Sequence, residues 1–470
     1  RFGLGSSLMP SNKEILEAQR YNRRRLITAF TSGIPGGREL ESKSPFVPLI
    51  VGSVVVAIML GVGIVMSRFA PTLPQDWQDS TLIVVKGTGA RYYTIRGVLR
   101  PVTNITSARL MSEAGKYKTS EVPASTIDGI SRGSQVGITG VPDDVPKADQ
   151  LHSDQWFSCD ISGKPHTWVA QLPAARTARG SALVKSQDGE VFLITNGLRH
   201  KIPSGQTPNP LYALGLDSVA PVTVNSQWLS LFEPGSDLTF LELEGAGRPV
   251  TGMPTSLSSA VIGSVIEVKS GDSTRRYVVI GDKKATQLTN LTDKLYRTGT
   301  PLSATLDDIS KIDIVSIDAA GISPADWPKS IDDTMPAGSL PCAQLAKKPD
   351  NSSTSVLHSM TSQDLAEALP KTQEGSGGSS GDSLNPPTPT SVRGGSGALI
   401  RTTSGGSLGV VSLVSDLGTL HGIGSPADDT LKRLEYDEST AYEVPAPWAA
   451  LIPEGEALNP GKVWDTVKEQ

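Results

Sequence analysis

Between Val47 and Met66 the chain reads VPLIVGSVVVAIMLGVGIVM, 20 residues without a charged side chain. A helix rises about 1.5 Å per residue, so such a run spans about 30 Å, the hydrocarbon thickness of a bilayer. With no water there to satisfy backbone groups, the run is expected to be a single helix. Nothing else in the 470 residues approaches it. The chain is thus read as a short piece on one side of a membrane and a large piece on the other.

Charge orients it. Residues 1–46 hold eight Lys/Arg (Arg1, Lys13, Arg20, Arg23, Arg24, Arg25, Arg38 and Lys43) against four acids, a net of +4. The whole chain is −5, which leaves −9 for the remainder. Basic residues are retained on the cytoplasmic side, so the N-terminus is expected inside and the bulk outside, in the periplasm or its equivalent. A cleaved signal peptide is the alternative. It fits less well, because signal cores are about 7–15 residues and no A-x-A site follows Met66. A buried globular helix is disfavoured by the unbroken apolarity.

Before the span, Ser11-Asn12-Lys13-Glu14 has the pattern of a capping box, and ILEAQRYNRRRLITAF continues as a helix until Gly33. Arg20, Arg23, Arg24 and Arg25 form its basic cluster. Two readings stand: attraction to anionic headgroups with a topology signal, or a docking helix for another membrane subunit. Met9-Pro10 is a candidate natural start.

The outer part is rich in Gly (47) and Pro (34) and shows short β-rich runs, which prompts a search for repeats. Three segments share a form, beginning at Leu82, Ala182 and Val265. Each has a Val-Lys step, a polar turn, a returning strand at Tyr92-Tyr93, Val191-Phe192 or Tyr277-Val278, and then Gly97, Gly197 or Gly281. A hairpin is the expected outcome. Thr103-Asn-Ile-Thr106 and Thr289-Asn-Leu-Thr292 follow as helix starts. A fourth copy, containing Gly409–Tyr436, is less regular. Its tail Trp448-AALIPEGEAL nevertheless resembles Trp228-LSLFEPGSDL of the second. Trp228 and Trp448 are therefore expected to close small repeat cores. The fold class is mainly β with short helices, as α+β repeats around a central β domain, plus the N-terminal membrane helix.

The expected layout is a basic segment (1–46), a membrane helix (47–67), a spacer (68–80), repeat one (81–119) and a first central part (120–178). Repeat two (179–245), repeat three (246–301) and a second central part (302–373) follow. A Gly/Ser/Pro linker (374–398), repeat four (399–460) and a tail (461–470) complete it. Cys159 and Cys342 are the two cysteines, one in each central part. An isolated pair in an oxidising compartment suggests one disulfide, with two unrelated buried thiols as the alternative. If they pair, repeats two and three are an insertion carried on one central domain. Closing that loop would stabilise the fold by several kcal/mol, at about 5 kcal/mol in the chain-entropy model.

Catalytic patterns are scarce. No Walker A motif is present. Gly377-Gly-Ser-Ser-Gly381 fits G-x-S-x-G only within the linker, without a strand-to-helix elbow. His152, His166, His200, His358 and His421 are scattered and make no metal pair, so no metal or cofactor is expected. The acidic doublets at Asp143, Asp307, Asp332 and Asp428 read as turns and helix starts, although a carboxylate pair for glycoside hydrolysis need not be close in sequence. Basic residues do not cluster in the outer part, which argues against nucleic acid.

The order of parts resembles the EccB family, membrane components of type VII (ESX) secretion machinery in actinobacteria. The resembling residues are Tyr21-Asn-Arg-Arg-Arg-Leu26, the single span, Gly89–Met111, Trp156-Phe-Ser-Cys-Asp160, Cys342 and the Trp228 segment. The fourth hairpin departs most from the family pattern. The resemblance implies four repeats around a central β domain held by a Cys159–Cys342 bridge. It implies a complex with EccC, EccD and EccE subunits and other EccB copies, with the mycosin protease as a periplasmic partner. It also implies wall contact through peptidoglycan. The family carries an ATPase label, which would make ATP a ligand; with no P-loop the sequence gives that label little support, and a nucleotide site of another kind stays open.

Overall fold

The computed structural model describes residues 11–32, 46–68, 73–205, 209–296, 300–350, 352–369 and 389–465. Met9-Pro10, the Gly377–Gly381 pattern and residues 374–388 of the expected linker lie outside them. The chain forms two compact units, Arg1–Thr72 and Leu73–Gln470.

The first unit holds two helices. Asn12–Ser32 opens on the capping box: Ser11 N donates to Glu14 Oε2 at 2.9 Å, and Glu14 N donates to Ser11 Oγ at 3.4 Å. Phe46–Arg68 contains a stretch, Phe46–Gly63, long and apolar enough to cross a membrane, with all its side chains exposed. Ser53 is its polar side chain, and its hydroxyl donates to Leu49 O at 2.8 Å, so the helix satisfies it internally.

In the second unit, four repeats follow one plan around a central sheet. Each repeat begins with a three-stranded antiparallel meander. The meanders are Thr81–Val85, Arg91–Ile95 and Val98–Pro101; Ser181–Ser186, Val191–Thr195 and Leu198–Ile202; Val265–Ser270, Ser273–Gly281 and Lys284–Gln287; and Ala398–Ser404, Ser407–Val414 and Leu420–Gly422. A helix then carries the chain over the sheet: Ile105–Met111, Pro210–Leu214, Asn290–Leu295 or Ala427–Arg433. A fourth strand returns parallel to the first. The chain next makes a short helix and runs parallel to the third strand. The first two meanders turn through paired left-handed residues, Arg96-Gly97 and Asn196-Gly197, the backbone of a type I′ hairpin. In the third repeat Gly281 is not left-handed; a register shift between Val279 and Gly281 moves the positive φ to Lys283.

The repeats run further than the sequence pattern indicated. The first sheet includes Lys118–Val122, and Leu99 bridges Arg132 beyond it, with Ile127 buried beneath. The third includes Leu302–Ala304 and Asp313–Val315, both in the stretch read as central. Thr390–Val392, read as linker, is an edge strand of the central sheet. These late strands are three to five residues long and lack the alternation of a hairpin; only their pairing identifies them.

The central sheet has the order Thr390–Val392, Lys164–Val169, Trp156–Ile161, Leu340–Lys347, Ser353–Met360, Thr177–Ala178. Cys159 lies directly opposite Cys342 and is bonded to it across a separation of 183 residues. Repeats two and three therefore leave and re-enter the sheet at one place. The disulfide sits on one face with Phe157, Trp168 and Met360, covered by the helix Ser362–Ala368 through Leu365. Trp156, Val169, Ala343 and Leu345 point to the other face.

Replacing both cysteines by alanine is expected to destabilise the outer unit by about 2–5 kcal/mol, given the loop released. Thermal melting of the full chain in detergent measures it. An unchanged melting temperature contradicts a stabilising staple.

Candidate assembly site

Several buried polar side chains of the outer unit join its parts. Trp228 lies on the helix Ser226–Leu229, capped by Asn225 Oδ1, which accepts from Gln227 N at 2.8 Å. Asn225 is itself held by the central sheet, because its N donates to Asp160 Oδ2 at 2.7 Å and its Nδ2 to Gly163 O at 3.1 Å. Burial pushes the Asp160 carboxyl above its usual range, and the N–H groups of Asn225 and Gly163 oppose that shift. The fully buried Trp228 indole donates to Ser158 O at 3.1 Å.

Trp448 of the fourth repeat enters the same core. Its indole donates to Ser355 Oγ at 3.1 Å, and that hydroxyl donates to Leu231 O in the second repeat. Its ring meets Trp156 edge-on, 6.4 Å between centroids. The two tryptophans thus close one core shared by the second repeat, the central sheet and the fourth repeat, not two separate repeat cores. A fully buried indole must place its N–H, and each finds an acceptor on the central sheet.

Two histidines lie on the other faces of the inner sheets, His200 opposite Leu193 in the core shared with the third repeat and His421 opposite Leu413 in the core shared with the first. His200 Nδ1 donates to Ser236 O and His421 Nδ1 to Glu456 O, both at 2.8 Å. The carbonyl acceptor assigns the proton to Nδ1. His421 Nε2 then accepts from Thr419 Oγ1 at 2.7 Å, and burial lowers its pKa. Each ring lies on a glycine: a Cβ on Gly235 or Gly455 would come within 2.5 Å of His200 or His421. Taken singly, the two histidines are scattered in the sequence. The signal of the pair is spacing, since Trp228 lies 28 residues after His200 and Trp448 lies 27 after His421.

Two further cores extend outward. Leu110 of the first repeat packs with Leu399, Leu413 and Leu431 of the fourth. Leu193 and Leu214 of the second pack with Leu291 and Leu295 of the third. The second and fourth repeats are therefore inner and the first and third outer. The sequence signatures sort the same way: the Trp-x-x-Leu segments are inner and the TN-[IL]-T segments outer. The outer helices are capped by different members of that motif. Asn104 accepts from Ser107 N, whereas Thr289 forms a reciprocal box with Thr292.

Arg20, Arg23, Arg24 and Arg25 are exposed on Asn12–Ser32. At 100° per residue, Ile15, Leu16, Leu26, Ile27 and Phe30 fall within about a third of the circumference. Arg23 lies among them, Arg20 and Arg24 lie beyond one edge of the arc, and Arg25 lies roughly opposite. Val47 stands exposed in the second helix; Met66 is helical, within Phe46–Arg68.

Among the described residues, no group of three or more His, Cys, Asp or Glu side chains is arranged to hold a metal. A recess of about 620 Å³ is lined by Asp143, Asp144, Asp149, Lys147 and Asp416. Three of its four acids are engaged: Asp143 with Arg91, Asp144 with Arg109 at 2.8 Å, and Asp416 with Gly395 N at 3.1 Å.

The family model described as type VII secretion system ESX-1, transport TM domain B, matches residues 8–465. The ESX-2 secretion system ATPase EccB2 of Mycobacterium tuberculosis (strain H37Rv) is 28% identical over 277 residues, covering 56% of this chain and 54% of that relative. The chain thus spans about half the length of that curated relative. The ESX-3 secretion system ATPase EccB3 of Mycolicibacterium smegmatis is 25% identical, covering 82% of this chain and 77% of the relative. Among solved structures, a chain of an intact ESX-5 inner membrane complex has a TM-score of 0.62 at 19% identity, covering 100% of this chain and 97% of its own. A chain of an EccB3 dimer from the ESX-3 core complex has a TM-score of 0.62 at 21% identity, covering 82% and 99%.

His358, opposite Cys342 with its ring 5.6 Å from Phe157, is pushed down to about 4 by burial, with Arg176 adding to the shift. The unfolded state then binds more protons than the native one between about pH 6.5 and 4. The stability tied to neutral His358 is fully present above about pH 6.5 and is lost as pH falls through that window. Melting from pH 7 to 4 is expected to show this loss, and His358→Phe to flatten it by roughly 1–3 kcal/mol. Parallel curves for the two proteins contradict the assignment.

Proposed function

The chain belongs to the EccB family of type VII secretion components, and from that premise we propose that it is a structural core subunit of an ESX inner-membrane secretion complex. The carrying observation is that one family match runs from the basic helix through the span and all four repeats. The helix Phe46–Arg68 anchors the chain, with its N-terminus cytoplasmic and its bulk periplasmic. The +4 charge before the span and the −9 after it support this orientation. The basic helix docks on neighbouring subunits of the EccC, EccD and EccE kinds. The repeats form a periplasmic scaffold by self-association with further EccB copies and meet the mycosin protease and peptidoglycan there. A likeness to chains from an ESX-5 inner membrane complex and an EccB3 dimer supports the scaffold reading.

The mechanism is assembly and gating, without bond chemistry. The M. tuberculosis and M. smegmatis relatives are named ATPases, but this sequence has no Walker A cradle for a nucleotide. Accordingly, the purified full chain is expected to hydrolyse ATP no faster than buffer. Turnover that survives stringent purification and disappears with a point substitution would favour the enzymatic reading.

Replacing Arg20, Arg23, Arg24 and Arg25 together by glutamate is expected to abolish capture of the other membrane subunits in a detergent pull-down. Alkali-resistant membrane insertion of the chain itself should persist. Normal capture would remove the docking role of the helix.

A further inference from the structure

The inner repeats share one plan, so a difference between them that neither core requires marks a surface with another use. In the second repeat Lys185 pairs with Val191; in the fourth Arg401 pairs with Val411. The chain between these pairs is five residues in the second repeat, Ser186–Glu190, and nine in the fourth, Thr402–Val410. The fourth hairpin is therefore four residues longer. Its extension contributes nothing to the shared core, since every residue from Ser404 to Val410 is exposed.

The composition of the extension is unusual for exposed backbone. Thr402 to Ser415 contains no charged residue and no proline. Leu408 is 56% and Val410 70% exposed, and two-residue spacing puts both on one face. The third strand pairs only with Ser412–Val414, and Ile423 N reaches Val411 O at 3.0 Å. Among the described residues, the outward edge of Ser407–Val410 therefore has no neighbouring strand. Soluble proteins blunt such edges with charge, proline or bulges; the fourth hairpin has a register shift between Arg401 and Thr403 but neither charge nor proline along this edge. The second repeat has charge in Asp188 and Glu190 at its turn, and the third in Lys269, Asp272 and Arg275.

We propose that the Ser407–Val410 edge pairs antiparallel with the same edge of a second copy of this chain. The inference rests on the self-associating scaffold reading and names the contact. Two points select this occupant. The chain beyond the span carries −9, so two copies repel on average, and this uncharged edge brings no like charges together. An antiparallel pairing about a two-fold axis is self-complementary, with residue i facing j and j facing i. The edge is short, but two copies anchored in one bilayer meet at raised effective concentration, which lowers the contact area needed.

The test uses the full chain reconstituted in lipid vesicles, where two copies share one bilayer. The native chain has two cysteines, bonded to each other, so an added one reports alone. Mild oxidation of Val410→Cys should give a dimer on a non-reducing gel. Tyr212→Cys, equally exposed on the second repeat, should stay monomeric. The pair Leu408→Lys with Val410→Lys should raise the dimer dissociation constant at least tenfold, with an unchanged melting temperature because the extension lies outside the core. The proposal is overturned if Val410→Cys stays monomeric, if it crosslinks only to another protein, or if the double lysine variant dimerises like the native chain. Co-purification of the other membrane subunits, followed in the same samples, separates the two readings. Their capture without a copy–copy crosslink removes only this contact, whereas loss of capture by the native chain removes the scaffold itself.

Discussion

The outer unit depends on one register: Cys159 opposite Cys342 in the antiparallel pair Trp156–Ile161 and Leu340–Lys347. In a strand, successive side chains alternate between faces, so a slip by one residue would exchange the two cores. The disulfide face, with Phe157 and Trp168, would be presented to the repeats, and Trp156 would no longer meet Trp448. The covalent bond forbids that slip. It also brings together two segments 183 residues apart, a contact whose loop-closure entropy would otherwise weigh on folding. The inserted repeats can then be large without loosening the sheet that carries them.

From that sheet outward the structure repeats one solution. Each inner repeat presents a tryptophan to the central sheet and carries a histidine–glycine contact on the other face of its own sheet. Each outer repeat is attached through its helix to an inner one. The joints match in detail. Arg433 on the fourth-repeat helix donates to Leu110 O and Ser112 O, both at 2.9 Å, at the C-terminal end of the first-repeat helix. Lys294 on the third-repeat helix donates to Leu214 O at 3.2 Å, at the end of the second-repeat helix. A cation placed on terminal carbonyls satisfies groups that the helix cannot, and it meets the negative end of the helix dipole.

Much of this was legible in the sequence, and the limits are physical. The apolar run, the Ser11–Glu14 box and the hairpins were readable because their signals are local, by composition, capping chemistry or period-two alternation. The repeats' last strands were not. Asp313–Val315 and Lys118–Val122 follow no alternation of their own, and they are strands because a first or third strand offers a free edge. The role of Trp228 was half legible. Its recurrence as Trp448 marked a repeat, but a segment cannot state whose core its indole will enter, and both enter a shared one. The histidine pair required comparing spacings between repeats, which a search for metal or catalytic motifs does not do.

The same packing bears on why so little chemistry is available. His200, His421, Asp160, Arg199, Arg433 and Ser355 are the residue types from which sites are built. Each is committed here to a fixed internal partner: Arg199 to Leu229 O and Phe232 O, Ser355 between Trp448 and Leu231, Asp160 to two backbone N–H groups. A catalytic group must be able to exchange its partner for substrate. Here release would strand a buried donor or acceptor without a hydrogen bond, at a cost of about 1–3 kcal/mol for each group so stranded. The polar interior of this unit is arranged to resist change of partner, which suits the scaffold role proposed for it.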